Sequence, residues 1–423
     1  MILYTVKKGD SLYKIANMYN TSINEIVEAN GLNISKTLII GQGLVIPTST
    51  TIHVVNKGES LYSISKIYKT SIQELLNQNP YIDKPYTLYP GQQIFIKNNI
   101  DNKPPLSVNG YLFSSTNEDF YLPNSTELTY LSYFSYSFNE NGYLRGGNDE
   151  SILKNANRGN IAPIMTLTNT NEKGSFSSTL ASNLLNNESA INTLISQIMN
   201  ILRSKNYQGI NIDFEYVSPE DKDKYVAFLK KIKDALDYDF ELSVALAPKY
   251  QSNQKGLLYE AHDYKEIGKI VDRVVIMTYE WGYTYGPAMP VAPIDEVEKV
   301  IQYAVTEIDP LKINLGIPTY GYDFITPHQK GNKAKSLSYE GAITLARQKN
   351  ISISFDENSK SPYFVYYEVD NKHIVHFEDA RSIGAKINLA LYYNLGGISF
   401  WTLRSQFTQM WTVINETLDV IKR

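Results

Sequence analysis

The sequence predicts an α/β protein whose main domain is a (β/α)8 TIM barrel with an inserted α+β subdomain, preceded by two small β-α-α-β modules. Three observations support this prediction. An internal repeat fills the amino-terminal part of the chain, eight short apolar runs alternate with helical patterns after it, and an oversized connection separates the last two runs. The predicted boundaries are 1–48 and 52–98 for the modules, 99–106 for a linker and 107–423 for the barrel, with the insertion at about 323–391.

Composition and charge restrict the class of partner. The chain has 423 residues, 43% of them hydrophobic, and a net charge of -4, which is typical of a globular protein. Its Lys and Arg residues are scattered, so it lacks the basic patch that nucleic acid or an anionic membrane requires. It has no cysteine, and its five scattered histidines support no metal site. We therefore expect no cofactor, no metal, no nucleic-acid or membrane partner, and a monomeric protein.

The amino-terminal residues, from Met1 to Gly9, are not followed by an apolar run of signal-peptide length. No later stretch approaches the ~20 apolar residues needed to cross a bilayer. We expect synthesis in the cytoplasm without a signal peptide. Any target outside the cell would then be reached by a route other than a signal peptide.

The repeat aligns residues 4–31 with residues 53–80 without a gap. In each copy a short strand leads through a glycine turn into a helix with one apolar face. A second helix begins at a capping box, Ser22-x-x-Glu25 in the first copy and Ser71-x-x-Glu74 in the second, and a closing strand follows. The repeat therefore predicts two copies of one β-α-α-β unit.

Both copies resemble LysM modules, which bind glycans containing N-acetylglucosamine, such as peptidoglycan and chitin. The resemblance rests on the turn from Gly9 to Leu12, on Asn30 and on Gly41-Gln42, which recur together. It implies that sugar lies between the first turn and the loop before the last strand, and so implicates Gly9, Asp10, Ser11, Gly58, Glu59 and Ser60. The acidic residues and serines also fit ordinary helix N-capping, and the two interpretations are compatible.

The second part of the chain contains the eight runs that we interpret as barrel strands. They are Val108–Leu112, Tyr130–Tyr136, Ile161–Leu167, Gly209–Phe214, Leu242–Ala247, Arg273–Thr278, Ile313–Ile317 and Gly397–Trp401. The insertion before the eighth run contains a helical pattern, Tyr339–Gln348, and a predicted hairpin, Phe364–Glu368 with His373–Phe377. In such a barrel the active site lies at the carboxyl ends of the strands.

The fourth run carries a row of polar residues on one side. Because side chains alternate along a strand, Asn211, Asp213 and Glu215 project together, opposite an apolar row. In a strand buried on both faces such a row must be hydrogen-bonded and costs desolvation energy, which a function would explain. The alternative is a half-buried strand with its polar face in water.

The barrel resembles family 18 glycoside hydrolases over residues 107–423. The family's Asp-Gly-x-Asp-x-Asp-x-Glu motif is matched by Gln208 to Glu215, although Gln208 and Asn211 stand where the family usually has Asp. Its Met-x-Tyr-Asp motif is matched by Met277-Thr278-Tyr279-Glu280, and Trp401 closes the eighth strand. Within the family the chain looks most similar to the LysM-bearing N-acetylglucosaminidases of bacterial spores, on motifs that include Phe377–Arg381.

The resemblance implies a retaining reaction in which the substrate's own 2-acetamido group attacks the anomeric carbon, because Asp213 is badly placed to reach the opposite face of the sugar. It implies that Glu215 is the acid and then the base. Asp213 then orients the acetamido N–H, and the Tyr279 hydroxyl donates to the acetamido oxygen. We also expect Asn211 to donate a hydrogen bond to Asp213, which would keep that carboxylate ionised.

Four further residues are candidate substrate contacts: Asn211, Glu280, Trp281 and Trp401. Trp401 is either a sugar platform on the floor of the cleft or part of the core, and Trp281 is similarly open. Glu280 either holds the sugar or pairs with a neighbouring cation.

Two classes of function remain open at this point. The first is a retaining β-N-acetylglucosaminidase acting on peptidoglycan, in particular spore cortex, with a chitinase as the alternative within the enzyme class. The second is a non-catalytic lectin anchored by the LysM pair. Glu215 favours the enzyme, because a barrel kept only for binding has no need of that acid.

Overall fold

The computed structural model describes residues 1–48, 50–56, 58–68, 70–97, 103–113, 127–236, 238–369 and 371–423. The chain forms two compact units, one of Met1–Lys103 with Thr408–Thr417 and one of Pro104–Phe407 with Leu418–Arg423. The predicted barrel domain, 107–423, therefore wrongly includes the helix 408–417, which belongs to the first unit. That helix packs with the repeats because its side chains hydrogen-bond to the first module.

The first module has the predicted β-α-α-β order. It consists of β1 (Ile2–Thr5), α1 (Leu12–Met18), α2 (Ile23–Asn30) and β2 (Gly43–Ile46). β1 and β2 pair antiparallel. The sides of α1 and α2 that face these strands contribute to a small apolar core. The predicted capping box is present, since Ser22 and Glu25 each accept the other's backbone N–H.

The second module repeats this arrangement. It consists of β3 (Thr50–Val54), α3 (Leu61–Ile67), α4 (Ile72–Gln78) and β4 (Gln93–Lys97), with β3 and β4 antiparallel. Of the predicted linker 99–106, residues 99–102 lie outside the described residues. Its last two residues, Pro105 and Leu106, begin the first barrel strand, because they already pair with a strand near the carboxyl terminus.

Eight parallel strands close into the barrel. They are β5 (Pro105–Phe113), β6 (Tyr130–Phe138), β8 (Ala162–Thr168), β9 (Gly209–Asp213), β10 (Glu241–Leu246), β11 (Arg273–Ile276), β12 (Ile313–Pro318) and β18 (Gly397–Trp401). Each pairs with the next in this order, and β18 pairs with β5. Two short strands add to the sheet: β7 (Leu144–Arg145) pairs with β6, and β19 (Asp419–Val420) pairs with β5.

Helices follow most strands, as a barrel requires. They are α5 (Glu150–Arg158), α6 (Ser178–Leu185), α7 (Glu188–Ser204), α8 (Lys222–Leu236), α9 (Tyr264–Ile270), α10 (Ile294–Glu307) and α12 (Ala380–Tyr392). A 3-10 turn, Pro219–Asp221, precedes α8 at the predicted start. The last helix, α13 (Thr408–Thr417), belongs to the other unit. In the part of the chain that the structure describes, no helix has the length and hydropathy to span a membrane.

The insertion is a five-stranded antiparallel sheet with one helix. Its elements are β13 (Tyr320–Thr326), β14 (Lys335–Ser338), α11 (Tyr339–Gln348), β15 (Ser354–Asp356), β16 (Ser361–Glu368) and β17 (Asn371–His376). The predicted range 323–391 is too long at its carboxyl end. It included α12, which packs against β12 and β18 as an ordinary barrel helix.

The polar row of β9 is inside the barrel. Asn211 is 1% exposed and Asp213 5% exposed, while Ile210 and Ile212 on the other side are fully buried. The alternative of a polar face in water is therefore wrong, and the desolvation cost of these groups has to be explained by their partners.

Candidate active site

The predicted catalytic residues meet at the carboxyl ends of the barrel strands. Asp213 ends β9 and Glu215 follows it, Tyr279 and Glu280 follow β11, and Trp401 ends β18. The first four are close enough for their charges to interact. The barrel topology thus brings together residues that the sequence separates.

Asp213 is a buried carboxyl with an unused acceptor. Its Oδ1 atom is shielded from solvent and has no hydrogen-bond partner among the described residues. Burial raises the pKa of this carboxyl. A buried acceptor without a donor is costly, so it marks a place where a ligand donor would be favourable.

Glu215 has surroundings that favour its protonated form. Burial raises the pKa of Glu215, and the negative charges of Asp213 and then Glu280 raise it further. Two neighbouring carboxyls on one strand share protons as a pair. The pair therefore keeps a proton well above the pH at which an exposed glutamate loses one, as a general acid requires.

The backbone at Glu215 is fixed by side chains that the sequence did not single out. Asn169, fully buried after β8, accepts from the Glu215 N–H at 2.9 Å and donates to its carbonyl at 2.8 Å. His262 accepts from the Ala247 N–H at 2.8 Å, so its Nε2–H donates to the Phe214 carbonyl at 3.0 Å. Burial lowers the pKa of His262 to about 4, so the ring is neutral. These contacts fix the backbone position from which the Glu215 side chain projects.

Asn211 does not behave as expected. Its side-chain oxygen accepts from the Tyr111 hydroxyl at 3.0 Å, and its amide donates to Ser243 at 3.0 Å. The expectation that it donates to Asp213 and keeps that group ionised is wrong, because Tyr111 of β5 and Ser243 of β10 take its polar atoms and Asp213 has a raised pKa. The structure also keeps Asn211 beneath the cleft surface, so it supports the site from below.

Tyr279 is a half-buried tyrosine with a hydroxyl donor. Burial raises the pKa of Tyr279 well above its ordinary value, so the hydroxyl keeps its proton at any working pH. Its ring lies against β12 at Gly316, where a Cβ atom would come within 2.9 Å of the tyrosine Cε1. No local pattern indicates this contact, and a side chain at Gly316 would collide with the Ile276 carbonyl and with the Tyr279 ring.

Glu280 combines an uncommon backbone conformation with two hydrogen bonds from tyrosines. Its φ is +68°, in the left-handed region that non-glycine residues rarely adopt. Its carboxylate accepts from the Tyr322 hydroxyl at 3.0 Å and from the Tyr320 hydroxyl. Burial raises the pKa of Glu280, whereas these two hydrogen bonds lower it. Tyrosines of the inserted subdomain therefore hold this residue, and no salt bridge to it occurs among the described residues.

Trp401 lies between an aromatic cluster and an open cavity. The edges of Tyr111, Phe113 and Phe134 surround it, with ring centroids 4.8 to 5.7 Å from its own. The half-buried ring also lines a cavity of about 550 Å³ together with Glu280. This placement favours the sugar platform over plain core.

Trp281 is fixed by hydrogen bonds and not by core packing. Its indole N–H donates to the Tyr250 hydroxyl at 2.8 Å, and that hydroxyl donates to Glu296 at 3.0 Å. The side chain is half-buried, and it is absent from the residues that line the Trp401 cavity. Of the two predicted aromatic contacts, Trp401 therefore lines this cavity and Trp281 does not.

The candidate residues of the modules are used to build their turns. Ser11 accepts from the Lys14 N–H and Ser60 from the Ser63 N–H, each at 3.2 Å, which confirms that both are N-caps. Asp10 accepts from the Lys7 N–H at 2.7 Å, and Glu59 accepts from the Asn56 N–H at 2.7 Å. The glycines before them, Gly9 and Gly58, have φ of +86° and +90°, which other residues rarely adopt.

Comparison with known proteins decides the family. A family model described as Glycosyl hydrolases family 18 matches residues 109–406, and the LysM domain model matches residues 4–47 and 53–97. The chain belongs to glycosyl hydrolases family 18. It is therefore a glycosidase with two LysM domains, and the predictions of its fold and family are confirmed.

Relatives match the chain over its whole length. A cortical fragment-lytic enzyme of Bacillus anthracis is 39% identical over 432 residues, covering 100% of this chain and 99% of its own. One of Bacillus subtilis is 40% identical over 429 residues with the same coverage. The crystal structure of the Bacillus cereus spore cortex-lytic enzyme SleL matches with a TM-score of 0.89 and 36% identity, covering 100% of this chain and 99% of that chain.

Proposed function

We propose that this glycosidase is a retaining β-N-acetylglucosaminidase that hydrolyses the peptidoglycan of spore cortex by substrate-assisted catalysis. The names of the full-length relatives support the cortex as the target. The observation that carries the proposed chemistry is the buried, unpartnered Oδ1 of Asp213 beside Glu215, whose pKa is raised by burial. The 2-acetamido group of N-acetylglucosamine carries an N–H that fits this acceptor.

In the first step Glu215 gives its proton to the glycosidic oxygen as the bond to the anomeric carbon breaks. The acetamido oxygen attacks that carbon and forms an oxazolinium ion, so the nucleophile belongs to the substrate. Asp213 accepts the acetamido N–H and stabilises the positive charge that develops there. The Tyr279 hydroxyl, protonated at all working pH values, donates to the acetamido oxygen and holds it in line.

In the second step Glu215, now a carboxylate, takes a proton from water as the water attacks the anomeric carbon. The acetamido oxygen leaves, and Glu215 returns to its protonated form. Two displacements at one carbon give overall retention of configuration. The sugar ring rests on Trp401 in this scheme, and Glu280 contacts it from the side of the inserted subdomain.

The two LysM domains anchor the enzyme to its insoluble substrate in this proposal. Two weak sites on one chain gain by avidity on a polymer, because the second binding event is intramolecular. Gly9, Asp10 and Ser11, with their counterparts Gly58, Glu59 and Ser60, form the turns that face the glycan. An enzyme anchored in this way would be associated with the spore.

The function is tested by digesting purified cortex peptidoglycan and chitin side by side and identifying the new reducing ends. We expect N-acetylglucosamine at the new reducing end of the peptidoglycan fragments, and slower release from chitin. Faster cleavage of chitin would make the chain a chitinase. Binding of both polymers without cleavage of either would make it a lectin.

The mechanism is tested on one glycan in its N-acetylated and its de-N-acetylated form. We expect hydrolysis of the first only, and inhibition by a thiazoline that mimics the oxazoline intermediate. Comparable cleavage of the de-N-acetylated glycan, with no inhibition by the thiazoline, would require a nucleophile from the protein. The two substrates differ only in the group that is proposed to react, so each is the control for the other.

Anchoring is tested by substituting Asp10 and Glu59 with Ala, singly and together, and measuring retention of the protein on insoluble cortex. We expect each single variant to lose most of the retention, because avidity needs both sites, and the double variant to lose the remaining single-site binding as well. Hydrolysis of short soluble fragments is the reference measurement. Undiminished retention of the double variant would assign these turns another role.

A further inference from the structure

A cation lies on the wall of the cavity that Trp401 lines. Arg404 follows β18 by three residues, is exposed, and lines the cavity of about 550 Å³ with Glu280 and Trp401. Among the described residues that line this cavity it is the only positively charged one. No salt bridge to Arg404 occurs in the part of the chain that the structure describes, so its charge is available to a ligand.

The guanidinium is placed by an aromatic layer. Its Cζ atom lies 5.8 Å from the centre of the Phe113 ring, and that ring lies 5.7 Å from the ring of Trp401. A cation over an aromatic face keeps its position without giving up its hydrogen-bond donors. Because a guanidinium has five N–H donors in a rigid fork, the remaining donors match a carboxylate well.

The cavity therefore has two poles of opposite sign. The carboxyl of Glu280 is held by the Tyr320 and Tyr322 hydroxyls, whereas Arg404 stands free. A neutral polymer of N-acetylglucosamine has no anionic group that could pair with this cation. In peptidoglycan, every second sugar carries a lactyl group whose carboxyl is free or extended by a peptide, and that sugar adjoins the bond that the proposed reaction breaks.

We propose that Arg404 binds a carboxylate on the lactyl-bearing sugar next to the cleaved bond, and so selects anionic peptidoglycan over neutral glycans. This inference rests on the proposed function. The negative pole at Glu280 repels the same carboxylate and so sets the direction in which the chain lies across the cavity. The carboxylate comes either from the lactyl group itself or from the end of its peptide, and the experiment distinguishes these two sources.

The test uses Arg404→Gln and Arg404→Lys in the full-length enzyme. The charge control is Arg203→Gln, an exposed arginine at the end of α7, next to the amino end of β9 and so on the barrel face opposite the cleft. Each enzyme is given peptide-free fragments with lactyl carboxylates, fragments with peptides, and the same fragments with every carboxyl converted to a methylamide. The last set keeps the glycan and removes only its negative charge.

We expect Arg404→Gln to lower kcat/KM on the charged fragments by about tenfold to a hundredfold, mainly through KM, which is the range for losing a hydrogen bond to a charged group. On the amidated fragments it should behave like the unaltered enzyme. Arg404→Lys should keep part of the preference, because it keeps the charge and loses the fork. A loss on the peptide-free set alone identifies the lactyl carboxylate, because a peptide converts that carboxyl into an amide. A loss on the peptide-bearing set alone identifies the peptide carboxylate, and a loss on both sets means that Arg404 binds either one.

Two results would overturn the inference. An equal loss on charged and amidated fragments would mean that Arg404 only supports Phe113, and an unchanged kcat/KM on charged fragments would mean that it binds no carboxylate. A direct binding measurement in the inactive Glu215→Gln background, with and without Arg404→Gln, gives the same answer without turnover. Failure of the unaltered enzyme to cleave any peptidoglycan fragment would refute the proposed function itself, and the inference with it.

Discussion

The Tyr111 hydroxyl donates a hydrogen bond to the side-chain oxygen of Asn211 inside the barrel, with 3.0 Å between the two oxygens. Asn211 thus joins β5 to β9, and it leaves the carboxyl of Asp213 without the donor that an isolated strand would suggest. An undonated, buried carboxyl is harder to ionise. The protonation of the catalytic carboxyls is therefore set by burial and by their mutual repulsion.

The first prediction concerns the pH dependence of hydrolysis. Because the folded pKa of Glu215 is raised, the protonated acid persists well above ~4.3, the ordinary pKa of a glutamate. We expect kcat/KM on a soluble fragment to fall on the alkaline side of neutrality as Glu215 loses its proton, and to fall on the acid side as Asp213, whose pKa burial also raises, gains one. Asn211→Asp adds a third negative charge to the row and should move the alkaline fall to still higher pH. If activity were instead lost as the pH rises through 4 to 5, the assignment of Glu215 as the acid would be contradicted.

The second prediction concerns the acid itself. Glu215→Gln removes the proton donor with almost no change in volume, so hydrolysis should be abolished while folding and glycan binding are kept. Steady-state hydrolysis and calorimetric binding of the same fragment measure the two effects. The matched control is Glu307→Gln, at the end of α10 and before β12, on the opposite face of the barrel, which should hydrolyse normally. Retention of most activity by Glu215→Gln would show that another group supplies the proton.

The third prediction connects the same substitution to stability. The folded pKa of Glu215 is raised above the unfolded value, so folding favours the protonated form and is penalised when the group must ionise. The penalty is absent below the unfolded value of ~4.3, grows as the pH rises from there to the folded value, and is complete above it. We therefore expect Glu215→Gln to raise the melting temperature of the barrel at alkaline pH and to leave it unchanged at pH 4. An equal effect at both pH values would mean that ionisation of Glu215 costs no stability.

Local patterns were sufficient to predict much of the fold. The run Gly397–Trp401 and the helix Tyr339–Gln348 have the predicted bounds, because alternation and helical spacing are properties of consecutive residues. The predicted pair Asp213 and Glu215 likewise comes from one short stretch, the end of β9 and the two residues after it. The bounds of a strand or helix, and the residues that share one of its faces, can therefore be predicted from consecutive residues alone.

Partners that are distant in sequence could not be derived in this way. Asn169 and Glu215 are 46 residues apart, and His262 and Phe214 are 48 apart, so no local pattern links them. The only available sign for Asn169 was a polar residue directly after a buried strand. The packing of α13 against the first module could not be predicted for the same reason, since Gln409 and Asn30 are 379 residues apart.

The last prediction follows from this distant contact. In the first module the Asn30 side-chain oxygen accepts from the Val45 N–H at 2.7 Å and from the Gln409 amide at 2.8 Å. In the second module the equivalent Asn79 oxygen accepts from the Phe95 N–H at 2.6 Å and from the Tyr81 hydroxyl at 2.6 Å. Gln409 of α13 therefore gives the first module the donor that Tyr81 gives the second.

We expect Gln409→Leu to destabilise the first module alone, and Tyr81→Phe the second alone, each by about 0.5–1.5 kcal/mol, because a buried acceptor loses one of its two donors and keeps the other. Hydrogen exchange of the amides at 43–46 and 93–96, read by mass spectrometry in the full-length protein, separates the two effects. Each variant is the matched control for the other. Equal exchange in both modules of both variants would show that α13 is not part of the first module's fold. A true dependence on α13 also means that deleting residues 1–97 would uncover buried side chains of that helix, so substitutions within the turns are the cleaner test of anchoring.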